Sequence, residues 1–112
     1  MVLIEATVKP FKLDDVKEAL EELGAGGMTV TEILQSSPKA RGRSFGASPT
    51  ASDLVPKIKI EIVAPRALAE RIIEAILLHG STGRTEDGRI TVEPVEATVR
   101  IRTGELDQEA LA

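Results

Sequence analysis

The sequence predicts an α+β fold in which a strand-helix-strand unit occurs twice, placing two helices on one face of a four-stranded antiparallel sheet. Three observations predict it. The run Lys57-Ile58-Lys59-Ile60-Glu61-Ile62 alternates without a fault, as a strand with one buried face must. Leu13, Val16, Leu20 and Leu23 fall 3, 4 and 3 residues apart, the spacing of one apolar helix stripe. The pattern then recurs, with Ile4-Glu5 ahead of Pro10 and the first helix, and Ile60-Glu61 ahead of Pro65 and the second.

In chain order, Val2, Ile4, Ala6 and Val8 alternate with Leu3, Glu5 and Thr7 in a half-buried strand that Lys9-Pro10 ends. The first helix carries Asp14 and Asp15 in its opening turn and meets Gly24 just past its last apolar residue. Met28 to Leu34 returns to β-rich composition. A breaker-filled stretch from Gln35 to Ser52 separates it from the strand around Lys57 to Ile62. Pro65 opens the second helix, whose Leu68, Ile72, Ile73, Ile76 and Leu77 form a broad apolar face ending near Gly80. Ile90 to Glu93 and Thr98 to Arg102 read as short strands around Pro94, and Glu105 to Ala112 as a polar turn or short helix. This order is that of a ferredoxin-like βαββαβ sandwich. Lys57, Lys59, Glu61, Arg100 and Arg102 then belong to the face without helices, which must meet water or another subunit.

With 112 residues, 42% apolar and 29% charged, the chain forms one domain over residues 1–112 and buries its own core. Zero Cys excludes disulfides, zinc-thiolate sites and thiol nucleophiles. A net charge of −4 disfavours non-specific binding to nucleic acid or anionic membranes. Phe11 and Phe45 are the only aromatic residues, so base-stacking platforms are absent and no nucleic-acid partner is expected. No apolar run approaches a membrane span, and the chain reads as cytoplasmic, without membrane insertion.

Chemistry concentrates in three places. Gln35 to Ser52 holds no acid but carries Lys39, Arg41 and Arg43; a basic loop this long suits an anionic ligand or an acidic partner, or is a solvated linker. In Thr82-Gly83-Arg84-Thr85-Glu86-Asp87-Gly88-Arg89, two glycines and successive backbone N–H groups can form an anion nest beside Arg84 and Arg89, or simply a turn pivoting on Asp-Gly. Arg100 and Arg102, two residues apart on the expected strand, would leave one face roughly 7 Å apart and grip a polyphosphate. With Lys57, four segments gather cations on an acidic protein, which points to an anionic ligand. His79, the only histidine, suits a helix C-terminal cap; no catalytic residue and no metal-ligand cluster is recognisable.

Lys9-Pro10-Phe11-Lys12-Leu13-Asp14-Asp15-Val16, Gly27 to Glu32, Val55 to Val63, Thr82-Gly83, Asp87-Gly88-Arg89 and Val99 to Glu105 together resemble the PII signal-transduction proteins over nearly the whole chain. The resemblance implies a homotrimer that binds ATP, ADP or AMP in clefts between subunits and controls a partner, a transporter or an enzyme of nitrogen or carbon metabolism. Control would pass through residues 35–54, with 80–89 as the phosphate loop and 100–112 as C-terminal loop and tail. Carried to matching positions, Thr29, Glu61 and Val63 line the adenine and ribose side, while Asp87, Gly88, Arg89, Arg100 and Arg102 hold phosphates, with Glu86 beside them. Such a protein is a sensor and not an enzyme. The other readings are a nucleotide-independent trimeric module and a slow ATPase at the same cleft.

The departures from the family are specific. Where its main branch opens the loop with Gly-Phe-Gly-Arg-Gln-Lys-Gly, this chain reads Gln35-Ser36-Ser37-Pro38-Lys39-Ala40-Arg41. The resemblance thereby implies that Ser37, Pro38 and Lys39 stand at the nucleotide. A protonated lysine at the magnesium-ligating glutamine position cannot ligate a cation, which puts magnesium and 2-oxoglutarate binding in question. Lys39 and Lys57 remain as effector-binding groups, Lys57 matching the family's 2-oxoglutarate-contacting lysine. Thr50 replaces the modifiable tyrosine, and with no Tyr in the chain tyrosine uridylylation or adenylylation is chemically impossible. Ser48 matches a position that some cyanobacterial members phosphorylate. Glu86, in place of a usual glycine, brings a negative charge and a Cβ to the phosphate loop.

Overall fold

The computed structural model describes residues 1–25, 27–36, 54–84 and 87–111, and it follows the doubled order. Strand β1 (Val2–Val8) leads through a 3-10 turn (Pro10–Lys12) into α1 (Leu13–Glu22) and then β2 (Thr29–Ser36). Strand β3 (Leu54–Ala64) leads into α2 (Arg66–Gly80) and β4 (Ile90–Pro94), and a short α3 (Gln108–Leu111) follows. The sheet is antiparallel in the order β2-β3-β1-β4, so the first strands of the two units are its centre.

The core lies where the alternation puts it. Val2, Ile4, Ala6 and Val8 of β1 and Ile58, Ile60, Ile62 and Ala64 of β3 face Val16 and Leu20 of α1 and Ile72 and Ile76 of α2, all buried. Each fully buried Ile or Leu contributes on the order of 1.5–3 kcal/mol. Helix α1 stops as its sequence directs: Gly24 takes φ +75 and donates its N–H to the Glu21 carbonyl, while Ala25 N–H reaches back to Leu20. These paired bonds satisfy two end carbonyls, and Ala25 is buried against the core beyond them. At the end of α2, a Cβ on Gly80 would stand 3.2 Å from Val8 Cγ1, so glycine lets the helix close onto β1.

Three expectations need correction. Pro65 caps α2 from outside with ψ 143, and the helix begins at Arg66. Gln35 and Ser36 are not loop but extend β2, opposite Val55 and Leu54 of β3, because a two-stranded ribbon needs only backbone pairing and not an apolar pattern. Thr98 to Arg102 is not a strand: Val99 makes one isolated bridge to Leu106, and Ile101 to Thr103 turn back in a tight hairpin. Arg100 N–H donates to Glu105 O at 2.8 Å and Gly104 N–H to Arg100 O at 2.7 Å, with Gly104 at φ +74. A run of five residues has no room for both a strand and the turn that Thr103-Gly104 imposes. Residues 37–53, among them Ser37, Pro38, Lys39, Ser48 and Thr50, lie outside the described residues, as does Glu86.

Candidate nucleotide site

The helix-free face of the sheet carries a cavity of about 710 Å³, a size suited to a small-molecule ligand. Leu3 of β1 and Val63 of β3, paired in register, form an apolar floor. Thr29 and Glu61, paired across β2 and β3, add a hydroxyl and a carboxylate. Gly24 and Gly27, at φ +75 and +77, leave the adjoining turn without side-chain bulk, and Thr98, Ala110 and Leu111 close the opposite wall. An apolar floor with hydrogen-bonding groups at its edge suits a planar heterocycle and the hydroxyls of an attached sugar.

Glu61 is electrostatically prepared. The repeat sets Glu5 directly opposite Glu61 across the central strand pair, an unfavourable like-charge pairing. Lys59 bridges both carboxylates, at 3.5 Å from Glu5 and 3.7 Å from Glu61. Glu61 therefore keeps acceptor capacity at the cavity while part of its charge is neutralised.

Of the two arginines, Arg100 bonds to a residue that lines this cavity: its Nη2 donates to the Ala110 carbonyl at 3.1 Å. Arg102 is exposed in the hairpin turn, so the expectation of two guanidiniums side by side on a strand face gives way to one arginine bonded to Ala110 and one at the tip.

The described residues of the next turn, 81–84 and 87–89, stand elsewhere, against the C-terminal end of β1. Thr7 N–H donates to Arg89 O at 3.1 Å, and Arg89 N–H donates to Thr7 Oγ1 at 3.3 Å. Gly88, at φ +115, is irreplaceable there, since a Cβ would lie 2.1 Å from the Thr7 carbonyl oxygen. Asp87 accepts from the Thr82 hydroxyl, from Thr82 N–H at 2.8 Å and from Arg84 N–H at 3.1 Å. Ser81 Oγ donates to the same carboxylate at 3.4 Å. Two of the N–H groups expected to form an open anion nest are thus taken by the protein's own carboxylate. The Thr82 hydroxyl is the main reason the Asp87 carboxyl is held well below the usual carboxylate range; partial burial opposes it, and Thr82 N–H, Lys9 and Arg84 N–H reinforce it.

Lys9 completes the cluster, with Nζ 2.9 Å from Thr82 Oγ1 and 3.1 Å from Asp87 Oδ1. Its local sequence marks Lys9 as a strand end and part of a longer motif but not as a site residue, because its partners lie more than seventy positions away. Leu3, Gly27, Thr98, Ala110 and Leu111 were missed as cavity residues for the same reason, since none has a local pattern that marks a ligand.

Lys57 is on the helix-free face, as its register opposite Ile33 requires, but it is 4% exposed and does not meet water. Alternation fixes the side to which a residue points and not whether that side is covered. A second cavity, of about 470 Å³, is lined by Lys57 with Pro10, Glu32, Ile33, Leu34, Pro56 and Ile58. His79 lies in the last turn of α2. Among the described residues no three His, Asp or Glu side chains gather as a metal site, and no helix is long and apolar enough to cross a membrane.

One copy therefore brings Thr29, Glu61 and Val63 together, ties Arg100 to Ala110 of the same lining, and leaves Asp87, Gly88 and Arg89 apart from them. The cavity spans β1, β3 and β2, whereas the turn feeds β4 at the other sheet edge. Along β1 alone, Leu3 and Thr7 are about 13 Å apart at the usual strand rise.

The family model described as "Nitrogen regulatory protein P-II" matches residues 1–105. A nitrogen regulatory protein P-II of Azospirillum brasilense is 49% identical over 112 residues, covering 99% of this chain and 100% of its own. The P-II protein of Rhodospirillum rubrum is 47% identical, and nitrogen regulatory protein P-II 1 of Escherichia coli K12 is 43% identical, each over the same shares. With this similarity extending through both strand-helix-strand units and the arginine hairpin, the chain belongs to the PII family of nitrogen regulatory signal-transduction proteins, which are regulators and not enzymes.

Proposed function

We propose that this chain folds as one domain over residues 1–112 and reads an adenine nucleotide at clefts between copies of itself. Occupancy passes through the segment around residues 35–54 to a partner protein, a transporter or an enzyme. The observation that carries the reading is the division of the site. A cavity lined by Thr29, Glu61 and Val63, with Arg100 bonded to its Ala110, spans β2, β3 and β1, and a turn with Arg84 and Arg89 lies toward β4. A base would sit in the first and phosphates against the second, supplied by a neighbouring copy. Such a head-to-tail contact closes into a ring, for which a homotrimer is the proposed form. Arg102, exposed at the hairpin tip, is then free to reach phosphates across the junction.

Calorimetric titration with AMP, ADP and ATP, each with and without magnesium and 2-oxoglutarate, tests the reading. We expect binding of an adenine nucleotide, and we expect Arg100→Ala and Arg102→Ala each to weaken it by about 1.5–3 kcal/mol, the scale of a charge-assisted hydrogen bond. Unchanged affinity in both variants would remove the arginines from the site. Lys39 is proposed to bring its positive charge to the phosphates in place of a metal, so that EDTA leaves affinity intact and 2-oxoglutarate adds nothing. A wild-type protein that needs magnesium and is sharpened by 2-oxoglutarate refutes that part. Absence of any nucleotide binding would favour a nucleotide-independent interaction module.

A further inference from the structure

Lys9 is the residue immediately after β1, and Pro10 follows it. A residue before proline is confined to extended backbone, and Lys9 accordingly has φ −65 and ψ 142. Its side chain is thereby aimed in a set direction, and it is mostly buried, with 17% of its surface exposed, against Asp87 at 18%. The ammonium meets the Thr82 hydroxyl and the Asp87 carboxylate together, and that hydroxyl in turn donates to Asp87. On the other flank of the same turn, Thr7 exchanges two hydrogen bonds with the Arg89 backbone. The turn is thus held to the end of β1 at both flanks, with Arg84 and Arg89 exposed.

We propose that Lys9 is a positioning residue of the anion site: by clasping Thr82 and Asp87 it fixes the turn so that Arg89 faces the phosphate, and it does not touch the nucleotide itself. The proposal rests on the nucleotide reading above. Lys9 has a second effect of the same sign. An Asp87 carboxylate without its ammonium partner would repel an approaching phosphate, whereas the paired carboxylate does so far less. Every donor of Lys9 that the geometry accounts for is directed at the turn, so its contribution reaches the ligand through Asp87 and Thr82.

The test combines ADP titration with amide hydrogen exchange on the full chain, for wild type, Lys9→Gln, Lys9→Arg and Thr82→Val. In Lys9→Gln we expect ADP affinity to fall by about tenfold, the scale of one lost charge-assisted bond. The amides of Thr82 and Arg84 should exchange faster, while those of Ala6 and Ile60 in the sheet centre stay protected. Lys9→Arg, which keeps the charge, should recover part of the affinity, and Thr82→Val, which removes only the shared hydroxyl, should shift both readouts the same way by less. Wild-type affinity in Lys9→Gln and Thr82→Val overturns the positioning role and leaves the nucleotide reading standing. Faster exchange at Ala6 and Ile60 in equal proportion overturns it too, because the loss is then one of fold. A wild-type protein that binds no adenine nucleotide overturns the nucleotide reading, and with it the part given to Lys9.

Discussion

Asp87 stands between two arginines in sequence terms, Arg84 and Arg89, yet its carboxylate serves Thr82, Lys9 and the backbone of its own turn. Its folded pKa lies below the ordinary value of 3.8, so the native state binds fewer protons than the unfolded chain in the acid range. Stability drawn from this carboxylate is therefore fully present above the unfolded pKa and drains away as pH falls through it toward the folded one. We predict that Asp87→Asn is less stable than wild type at neutral pH and that the gap narrows on acidification from about pH 5 to about pH 3. Urea denaturation at several pH values measures this. A gap of constant size would mean that the carboxylate's charge is not what holds the turn. Legibility at this scale was uneven. Asp-Gly announced a pivot, and Gly88 is one, but that Asp87 fills the nest itself follows only from the path of the chain around it.

Glycines at the ends of elements mark where the backbone comes close to something else. Gly80 and Gly88 both approach β1: a Cβ on the first would stand 3.2 Å from Val8 Cγ1, and one on the second would overlap the Thr7 carbonyl oxygen. The two contacts differ in kind, because a side chain can give way and a paired strand backbone cannot. We predict that Gly80→Ala costs about 1–3 kcal/mol as a packing clash, offset by up to about 1 kcal/mol of helix propensity, and leaves nucleotide affinity unchanged. Gly88→Ala, at φ +115 and with no room for a Cβ, should instead displace the turn and weaken nucleotide binding while the sheet persists. Thermal melts together with ADP titration separate the two; equal effects on both readouts in both variants would contradict the distinction. Strands β1 and β3 and both long helices were legible because each obeys one period over enough residues, and β2 was legible from its composition. The arginine hairpin was not, because five alternating residues fit a strand and a turn arm equally well, and Gly104 at φ +74 decided for the turn.

At the scale of the whole molecule, the helix-free face carries Leu3, Val63, Thr29 and the Glu5-Lys59-Glu61 cluster, which on the proposed reading form one half of the site. Assembly that completes the site should give a particle of about three times the 12.0 kDa chain mass. Light scattering at micromolar concentration checks it, and a monomer would leave the cleft without its phosphate half. Addition of ADP should stabilise the assembly by mass action, raising its melting temperature with ligand concentration.

The sequence alone determined the α+β order, the buried faces of β1, β3 and α1 and the end of α1 at Gly24. All of these depend on residues near one another in the chain, through side-chain period or backbone freedom. Tertiary structure decided which cations can act together. Arg100 is tied to Ala110 of α3, while Arg89 is carried toward β4 at the sheet edge and Lys57 is buried. It also decided that Lys9, unremarkable beside Pro10, is the counter-charge of Asp87. The physical reason is that direction, burial and pairing of a charge are set by residues brought close through strand register, and that register joins positions that no local pattern connects.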